Sequence, residues 1–440
     1  MIPNLIFILV LLTAVGIFYL KVRTISHEIK LGKPVEIKDN KIRRWKLMVK
    51  VAIGQSKMIT RPVAAIMHIF VYVGFIIVNI EMLEILIDGI SGTHRFFSFT
   101  GEMYPVLISS FEIFGVAVML GCIVFLSRRN IVRIKRFWSS EMKLWPRSDA
   151  NIILVTELFL MSAILIMNST DGILQVRHNS HYVAVGSFLI SGLIQPIFSG
   201  FSDGTLVFLE RFCWWFHIVG VLAFLNYIPY SKHFHVFLSF PNVYYSKLDP
   251  QGKMAHMPSI TKEIKMMLSG NVEYNAAEGN EDIGQFGARD CRDFTWKVLM
   301  DAYACTECGR CTSSCPANLT GKKLSPRKVV MDIRDRLEYI GRNVRKHGIG
   351  FTDDKSLLDS VTAEELWACT TCNACTIECP VNIDPVAMII EMRRYLVMEK
   401  AAAPAELNAI FSNIENNGAP WQYSNEDRLL WANNLEFKNK

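Results

Sequence analysis

No glycine-rich phosphate-binding loop occurs in this 440-residue chain, so nothing in it points to a flavin or nucleotide site. No long internal repeat is present either, apart from one doubled cysteine run. The first apolar stretch has no basic residues before it and no small-residue cleavage site after it. That argues against a cleaved signal peptide and for a retained helix. Basic residues are scarce in two segments, Asp88–Met103 and Asn168–Gly204.

Apolar residues are plentiful. They make up 51% of the chain and concentrate before about Phe240. Spanning a bilayer takes about 20 apolar residues. Four segments meet that requirement, at residues 2–20, 62–87, 104–126 and 150–167. A fifth, Trp- and Phe-rich, covers residues 205–235 and is expected to continue as helix toward Phe240. A further apolar stretch, Tyr182–Phe198, is short and interrupted by Gly186, Gly192 and Pro196.

Charge decides how these segments are threaded. Basic residues crowd Lys21–Arg61, Arg128–Arg147 and Lys232–Lys265. The positive-inside rule puts all three stretches in the cytoplasm, which requires an odd number of crossings. Five spans satisfy it, and Tyr182–Phe198 then reads as a re-entrant or surface-lying helix on the outer side. Ile42–Met58, basic with interleaved apolar residues, reads as an interfacial helix on the inner leaflet. The net charge of +6 is accounted for by these loops and calls for no nucleic-acid partner.

Two cysteine runs follow in the last third: Cys305, Cys308, Cys311 and Cys315-Pro316, then Cys369, Cys372, Cys375 and Cys379-Pro380. Both read C-x2-C-x2-C-x3-C-P, the spacing of bacterial proteins that hold two 4Fe–4S cubanes. Three close cysteines wrap one corner of a cubane, and the fourth thiolate comes from the other run. Cys305, Cys308, Cys311 and Cys379 are thus expected around one cluster, and Cys369, Cys372, Cys375 and Cys315 around the other. Structural zinc prefers separated cysteine pairs and fits this pattern poorly. Disulfides fit it less well still. Cys122 and Cys213 sit in apolar segments and read as packing residues.

Histidines inside the spans are a second signal, because an ionisable ring is costly in a bilayer. His68 lies early in the second span, His217 near the middle of the fifth, and His233 and His235 at its cytoplasmic end. Neutral imidazole is the usual axial ligand of haem b. His68 and His235 sit at similar depth on different spans, as a bis-His haem requires. A core histidine bonded to a neighbour is the competing reading of His217.

Trp214-Trp215-Phe216-His217, followed by Ile228-Pro229-Tyr230-Ser231-Lys232-His233-Phe234-His235, resembles the last helix of the cytochrome b subunit of respiratory nitrate reductases. That family carries two haem-ligating histidines at the separation of His217 and His235. Its second helix opens with a ligating histidine, matched by His68, and carries another where this chain has Val78. The resemblance implies one haem b held by His68 and His235. A second, at His217, lacks an evident partner, for which His178 and His181 of the outer loop are the candidates. The run from Tyr303 to Arg327 and the charged helical stretch Val329–Arg345 resemble the helical ferredoxin module of heterodisulfide-reductase-type iron–sulfur proteins. Membrane relatives of that kind add a catalytic domain with paired Cys-Cys-Gly motifs and link electron-transfer flavoprotein to quinone. No Cys-Cys-Gly occurs in this chain. The resemblance therefore implies a separate cytoplasmic subunit that brings those motifs, or electron-transfer flavoprotein itself, as the soluble partner.

These readings combine into an all-α protein: a transmembrane cytochrome b-like domain (1–240), a linker (241–293), a cytoplasmic two-cluster ferredoxin-like domain (294–400) and a tail (401–440). The expected role is a bacterial inner-membrane electron-transfer subunit between a cytoplasmic partner, the clusters, haem b and quinone. Protons for quinone would pass a buried carboxylate among Glu81, Glu84, Glu112, Glu157 and Glu210, and Lys232 and Arg61 are candidates for haem propionates. The competing reading is a haem-free iron–sulfur factor that reduces a metal centre during oxidase assembly. A tethered scaffold with structural clusters is the third.

Overall fold

The computed structural model describes residues 2–186, 188–257, 260–261, 264–265, 268, 285–424 and 426–433. The turns expected over Gly270–Gly287 and the short helix expected at Thr261–Met267 fall largely outside them. Of the described residues, 71% are helical. Among the described residues there is no strand, only an isolated bridge between Lys33 and Thr295.

Among the described residues, five helices are long and apolar enough to cross a membrane. They are built on α1 (Ile2–Ile29), α3 (Pro62–Ser91), α4 (Tyr104–Leu126), α5 (Trp145–Val176) and α7 (Asp203–Tyr227), with the short α2 (Lys41–Met48) and α6 (Ser191–Phe198) between them. Helix is the only single-segment solution in lipid, because each backbone N–H and C=O must find its partner locally. Pro62 opens α3, where its missing N–H costs nothing, and Gly92 at φ +80° closes it. The Ser202 hydroxyl accepts from Thr205 N–H and opens α7. Large apolar side chains such as Leu9 (65% exposed) and Phe208 (69%) face outward, as a lipid-facing surface requires. Where helices touch, small residues let them close. A Cβ on Gly74 would stand 2.4 Å from Val118 Cγ2, so α3 and α4 meet backbone to side chain there.

The expected continuation of the fifth span to Phe240 is interrupted. After Tyr227 the chain makes two 3-10 turns, Ile228–Tyr230 and Lys232–Phe234, and then α8 (His235–Tyr244). Pro229 cannot donate an N–H, and Ser231 turns extended, its hydroxyl accepting from His233 N–H at 3.0 Å. His235 therefore starts a new helix instead of ending the old one. Within Tyr182–Phe198 only Ser191–Phe198 is helical. Its first N–H groups, from Ile190 and Ser191, donate to Glu112 on α4 (2.7 and 3.2 Å).

The second half folds on one end of the bundle. It comprises α9 (Trp296–Ala304), the one-turn α10 (Arg310–Ser313) and α11 (Pro316–Leu319), α12 (Pro326–His347), α13 (Ala363–Trp367), α14 (Ala374–Glu378), α15 (Pro385–Met398) and, in the tail, α16 (Ala405–Asn417). The amphipathic α12 supplies the core: Val329, Ile333 and Leu337 recur every turn and are fully buried. Each such side chain contributes about 1.5–3 kcal/mol by leaving water. This core is continuous with the bundle through Ile25, Phe224, Ile228 and Phe234. The tail, weakly patterned in sequence, holds α16 because Pro404 precedes it and Gly418 (φ +63°) ends it.

Candidate functional site

The two cysteine runs adopt one backbone conformation twice. Two residues past the first cysteine, Glu307 and Thr371 have φ of +51° and +53°; two further on, Gly309 and Asn373 have +68° and +60°. Each left-handed pair turns the chain sharply, so that α10 presents Cys311 and α14 presents Cys375. Non-glycine residues held there cost about 1–3 kcal/mol and persist where the surroundings fix them. Gly309 has no freedom to change, because a Cβ on it would lie 2.3 Å from Arg327 Nη1. Backbone N–H groups already point at sulfur: Glu307 to Cys305 (3.4 Å), Thr371 to Cys369 (3.4 Å) and Ile383 to Cys379 (3.3 Å). Such donors raise the potential of a bound cluster.

The thiols that act on one another electrostatically fall into two groups that mix the runs. Cys379 feels Cys308 and Cys305, and Cys311 feels both of these, Cys379 and, across the groups, Cys375. Cys369 feels Cys315 and Cys372, and Cys375 feels Cys369 and Cys315. Burial pushes the Cys305 thiol up to about 11 and the Cys375 and Cys379 thiols up to about 12. Loading iron onto them therefore has to displace protons. Among the described residues no three His, Cys, Asp or Glu side chains are gathered tightly enough to hold one metal ion.

Several bundle residues hold the first cysteine run from below. Lys232 Nζ reaches Glu307 Oε2 at 2.5 Å and the Pro146 carbonyl at 2.5 Å, and Arg334 reaches the other Glu307 oxygen at 2.8 Å. Burial would raise the Glu307 carboxyl, but Arg334 and Lys232 more than offset it and hold it below its ordinary value. Arg310, inside the same run, donates to the Lys57 carbonyl at 3.0 Å. Lys57 in turn donates to the Thr376 and Cys379 carbonyls of the second run (3.3 and 3.2 Å). Arg61 binds Ser313 Oγ at 3.0 Å and Glu378 at 3.5 Å. Lys232 and Arg61, the candidates for haem propionates, are thus both engaged by the cysteine domain, Arg61 through Nη2 alone. Arg327, fully buried, binds the Arg136 carbonyl and Glu141 (both 2.7 Å), fastening the loop before α5. At the end of α1, Glu28 accepts from Tyr303 and Arg345.

The histidines divide. His68 lies within electrostatic reach of His235 and of Arg310. His233 is close to both histidines, its ring 5.5 Å from that of His235. His68 Nδ1 is buried without a hydrogen-bond partner. His235 Nδ1 faces the Lys232 carbonyl at 2.9 Å, which leaves Nε2 as its free nitrogen. His217 is buried and makes the same kind of contact with the Leu160 carbonyl, at 3.0 Å. His178 and His181 are both exposed, and His181 packs against His94 and Tyr182. Of the carboxylates, Glu84 accepts from Phe97 N–H and Tyr104, Glu112 caps α6, and Glu210 accepts from Tyr182. Glu81 is buried with no hydrogen bond to either oxygen, and Arg95 Nη1 lies 3.9 Å from its Oε1. The sequence alone does not single out Glu307 and Arg310; their one signal is charge inside a metal-binding motif.

A bundle of membrane-spanning length joined to a 4Fe–4S dicluster domain is thus the class of molecule that fold and site define. Residues 304–383 match the family "4Fe-4S dicluster domain". Over its length the chain is similar to the probable iron-sulfur-binding oxidoreductase FadF of Bacillus subtilis, at 28% identity over 97% of this chain and 60% of that protein. It is also similar to the EtfAB:quinone oxidoreductase of Syntrophomonas wolfei, at 26% identity over 88% of this chain and 54% of that protein. A shorter match, 35% identical, joins 34% of this chain to 25% of a probable membrane-anchored ferredoxin of Chromohalobacter salexigens. The chain thus spans little more than half the length of the first two relatives. No solved structure matches it.

Proposed function

We propose that this chain is a membrane-bound electron-transfer subunit that relays electrons between a soluble partner, two 4Fe–4S clusters, haem b and the quinone pool. The observation that carries the reading is the double anchorage of the first cysteine run. Glu307 is tied to the segment that bears His235, and Arg310 reaches the foot of the helix that bears His68. A carrier in that loop would lie directly over the histidine pair.

In this reading Cys305, Cys308, Cys311 and Cys379 hold one cluster and Cys369, Cys372, Cys375 and Cys315 the other. His68 and His235 hold haem b, and His217 is the candidate ligand of a second. The residues suit these groups: most of the electrostatic pairs among the thiols fall within the two mixed sets, His68 has a buried nitrogen with no hydrogen-bond partner, and the carbonyls on His235 and His217 leave Nε2 free to ligate. Bound there, the clusters and haem supply one-electron carriers. The protein's own share is to fix their spacing through Lys232–Glu307 and to keep water away with Phe234 and Tyr303.

Lys57, Arg61, Arg136 and Lys232 come from the three basic stretches and all meet the cysteine domain. Basic loops on the inner side would put that domain in the cytoplasm of a bacterium. The names of two relatives couple iron–sulfur oxidoreductase and EtfAB to this architecture. Electron-transfer flavoprotein or a Cys-Cys-Gly subunit is accordingly the proposed soluble partner. The test is anaerobic purification with neighbouring gene products, then iron, sulfide and haem analysis. The expected result is about eight irons per chain with sharp reduced haem b bands. Clusters without haem bands would turn the reading toward the assembly factor, and a colourless, iron-free protein would end it.

A further inference from the structure

At the end of the bundle remote from the cysteine loops, a cavity of about 350 Å³ opens between α1, α3 and α7. That volume falls within the range of small-molecule sites, roughly 300–1,000 Å³. Its α3 wall, near Gly89, lies about 30 Å along the helix from His68, which is the thickness of a bilayer core. Phe7, Ile85, Trp214 and Trp215 make one wall apolar and aromatic. His94 and Glu210 face it from the polar side.

His94 shows that the site is unfinished. Its side chain is only 9% exposed, its Nε2 stands 3.5 Å from Asp171, and its Nδ1 is buried with no hydrogen-bond partner. An orphaned buried nitrogen of this kind is destabilising unless something fills the cavity and bonds to it. Glu210, also buried, accepts from Tyr182 at 2.9 Å and keeps a second oxygen at the cavity's edge with Arg211.

The charges choose the ligand. Arg95 is spent on Asp171 (2.7 Å) and Asn168 (2.6 Å), and Arg211 on Glu210. Glu84 and Asp88 line the same cavity. A phosphate headgroup would therefore meet carboxylates and no unpaired guanidinium among the described residues. A flat, neutral molecule with an apolar body and ring oxygens suits the wall better. Imidazole can donate to a ring carbonyl in one tautomer and accept from a ring hydroxyl in the other. We propose that this cavity binds the head of a membrane quinone, between Trp214, Trp215 and Phe7, with His94 Nδ1 bonded to one ring oxygen. The proposal rests on the quinone-linked reading above, including the second haem at His217, one turn from Trp214, that would bridge the distance from His68, and gives that reading a location.

The test is photolabelling of the full-length protein in nanodiscs with a short-tailed azido-1,4-naphthoquinone, mapped by mass spectrometry. Label is expected within residues 85–95 or 207–215 and should be displaced by unlabelled naphthoquinone. His94→Leu should weaken that displacement about tenfold, the worth of one hydrogen bond, with iron content unchanged. Glu210→Gln, which keeps the shape of its side chain, serves as a second variant should His94→Leu fail to fold, and should also weaken binding. Label confined to a second cavity, lined by Ile25, Phe234, Leu238, Trp296 and Met300, displacement unaffected by either variant, or displacement by phospholipid alone would overturn the site. If electrons still reach quinone while label avoids this cavity, the site falls and the electron-transfer reading stands. If the cavity binds quinone but no electrons reach it, the reading falls and the site stands.

Discussion

The two halves of this chain solve burial with opposite signs. In the bundle, leucine and phenylalanine face outward, and the sealed interior holds Arg95, Asp171, Asn168 and Glu112. In the dicluster half, Ile333, Leu337 and Met388 are sealed and charged residues coat the outside. Each half matches its solvent. Where they meet, the shared apolar core at Ile25, Phe224, Ile228 and Phe234 is flanked by charged pairs: Lys232 with Glu307 and Arg327 with Glu141, both buried, and Arg345 with Glu28 at a partly exposed edge. Buried pairs of this kind add little net stability but fix geometry, because a misplaced partner leaves a bare charge. A relay needs that property, since electron transfer depends steeply on spacing.

The comparison can be broken or sharpened. The largest effect is expected from the thiols: Cys379→Ala should abolish the same cluster as Cys305→Ala, although the two residues belong to different runs. Iron content and the electron paramagnetic resonance of each variant read this directly, and loss of different clusters would refute the mixed sets. In the bundle, Arg95→Met strands Asp171 and should cost about 3–5 kcal/mol of stability, read as thermal unfolding in detergent. The inside-out contrast predicts a matched pair: Leu337→Ala costs about 2–5 kcal/mol, while Leu9→Ala stays within about 0.5 kcal/mol. Equal costs would mean that the bundle's outer face is not a solvent-facing surface. The smallest effect concerns acid. Burial alone would raise the Glu141 carboxyl, but Arg327 more than offsets it and holds it below its ordinary value. A depressed folded-state carboxyl stabilises above the unfolded value and loses that contribution as pH falls through the folded one. Proteolysis between α4 and α5 should therefore quicken only in acid, below about pH 4.

Much of the fold and of the cysteine site is legible in the amino-acid order. The cysteine spacing is a local signal, because three ligands of each set lie within seven residues of chain. The helix over Val329–Arg345 is visible from its period. The break at Ser231 is less legible, since Pro229 and Ser231 sit inside an apolar, aromatic run that reads as continuous. Glu307 and Arg310 escape notice because a charge inside a loop says nothing about a partner on another helix. His94 and Glu210 escape as a pair for the same reason.

The sequence by itself determined the helices, the doubled thiol loops and which half belongs in lipid, because hydropathy and ligand spacing act over a few turns of chain. Tertiary structure alone decided that Lys232 and Arg61 serve the dicluster half, that His68 and His235 lie beneath the first cysteine run, and that His94 and Glu210 share a cavity. Those contacts join residues tens to hundreds of positions apart, and only the folded chain brings such residues within reach of one another.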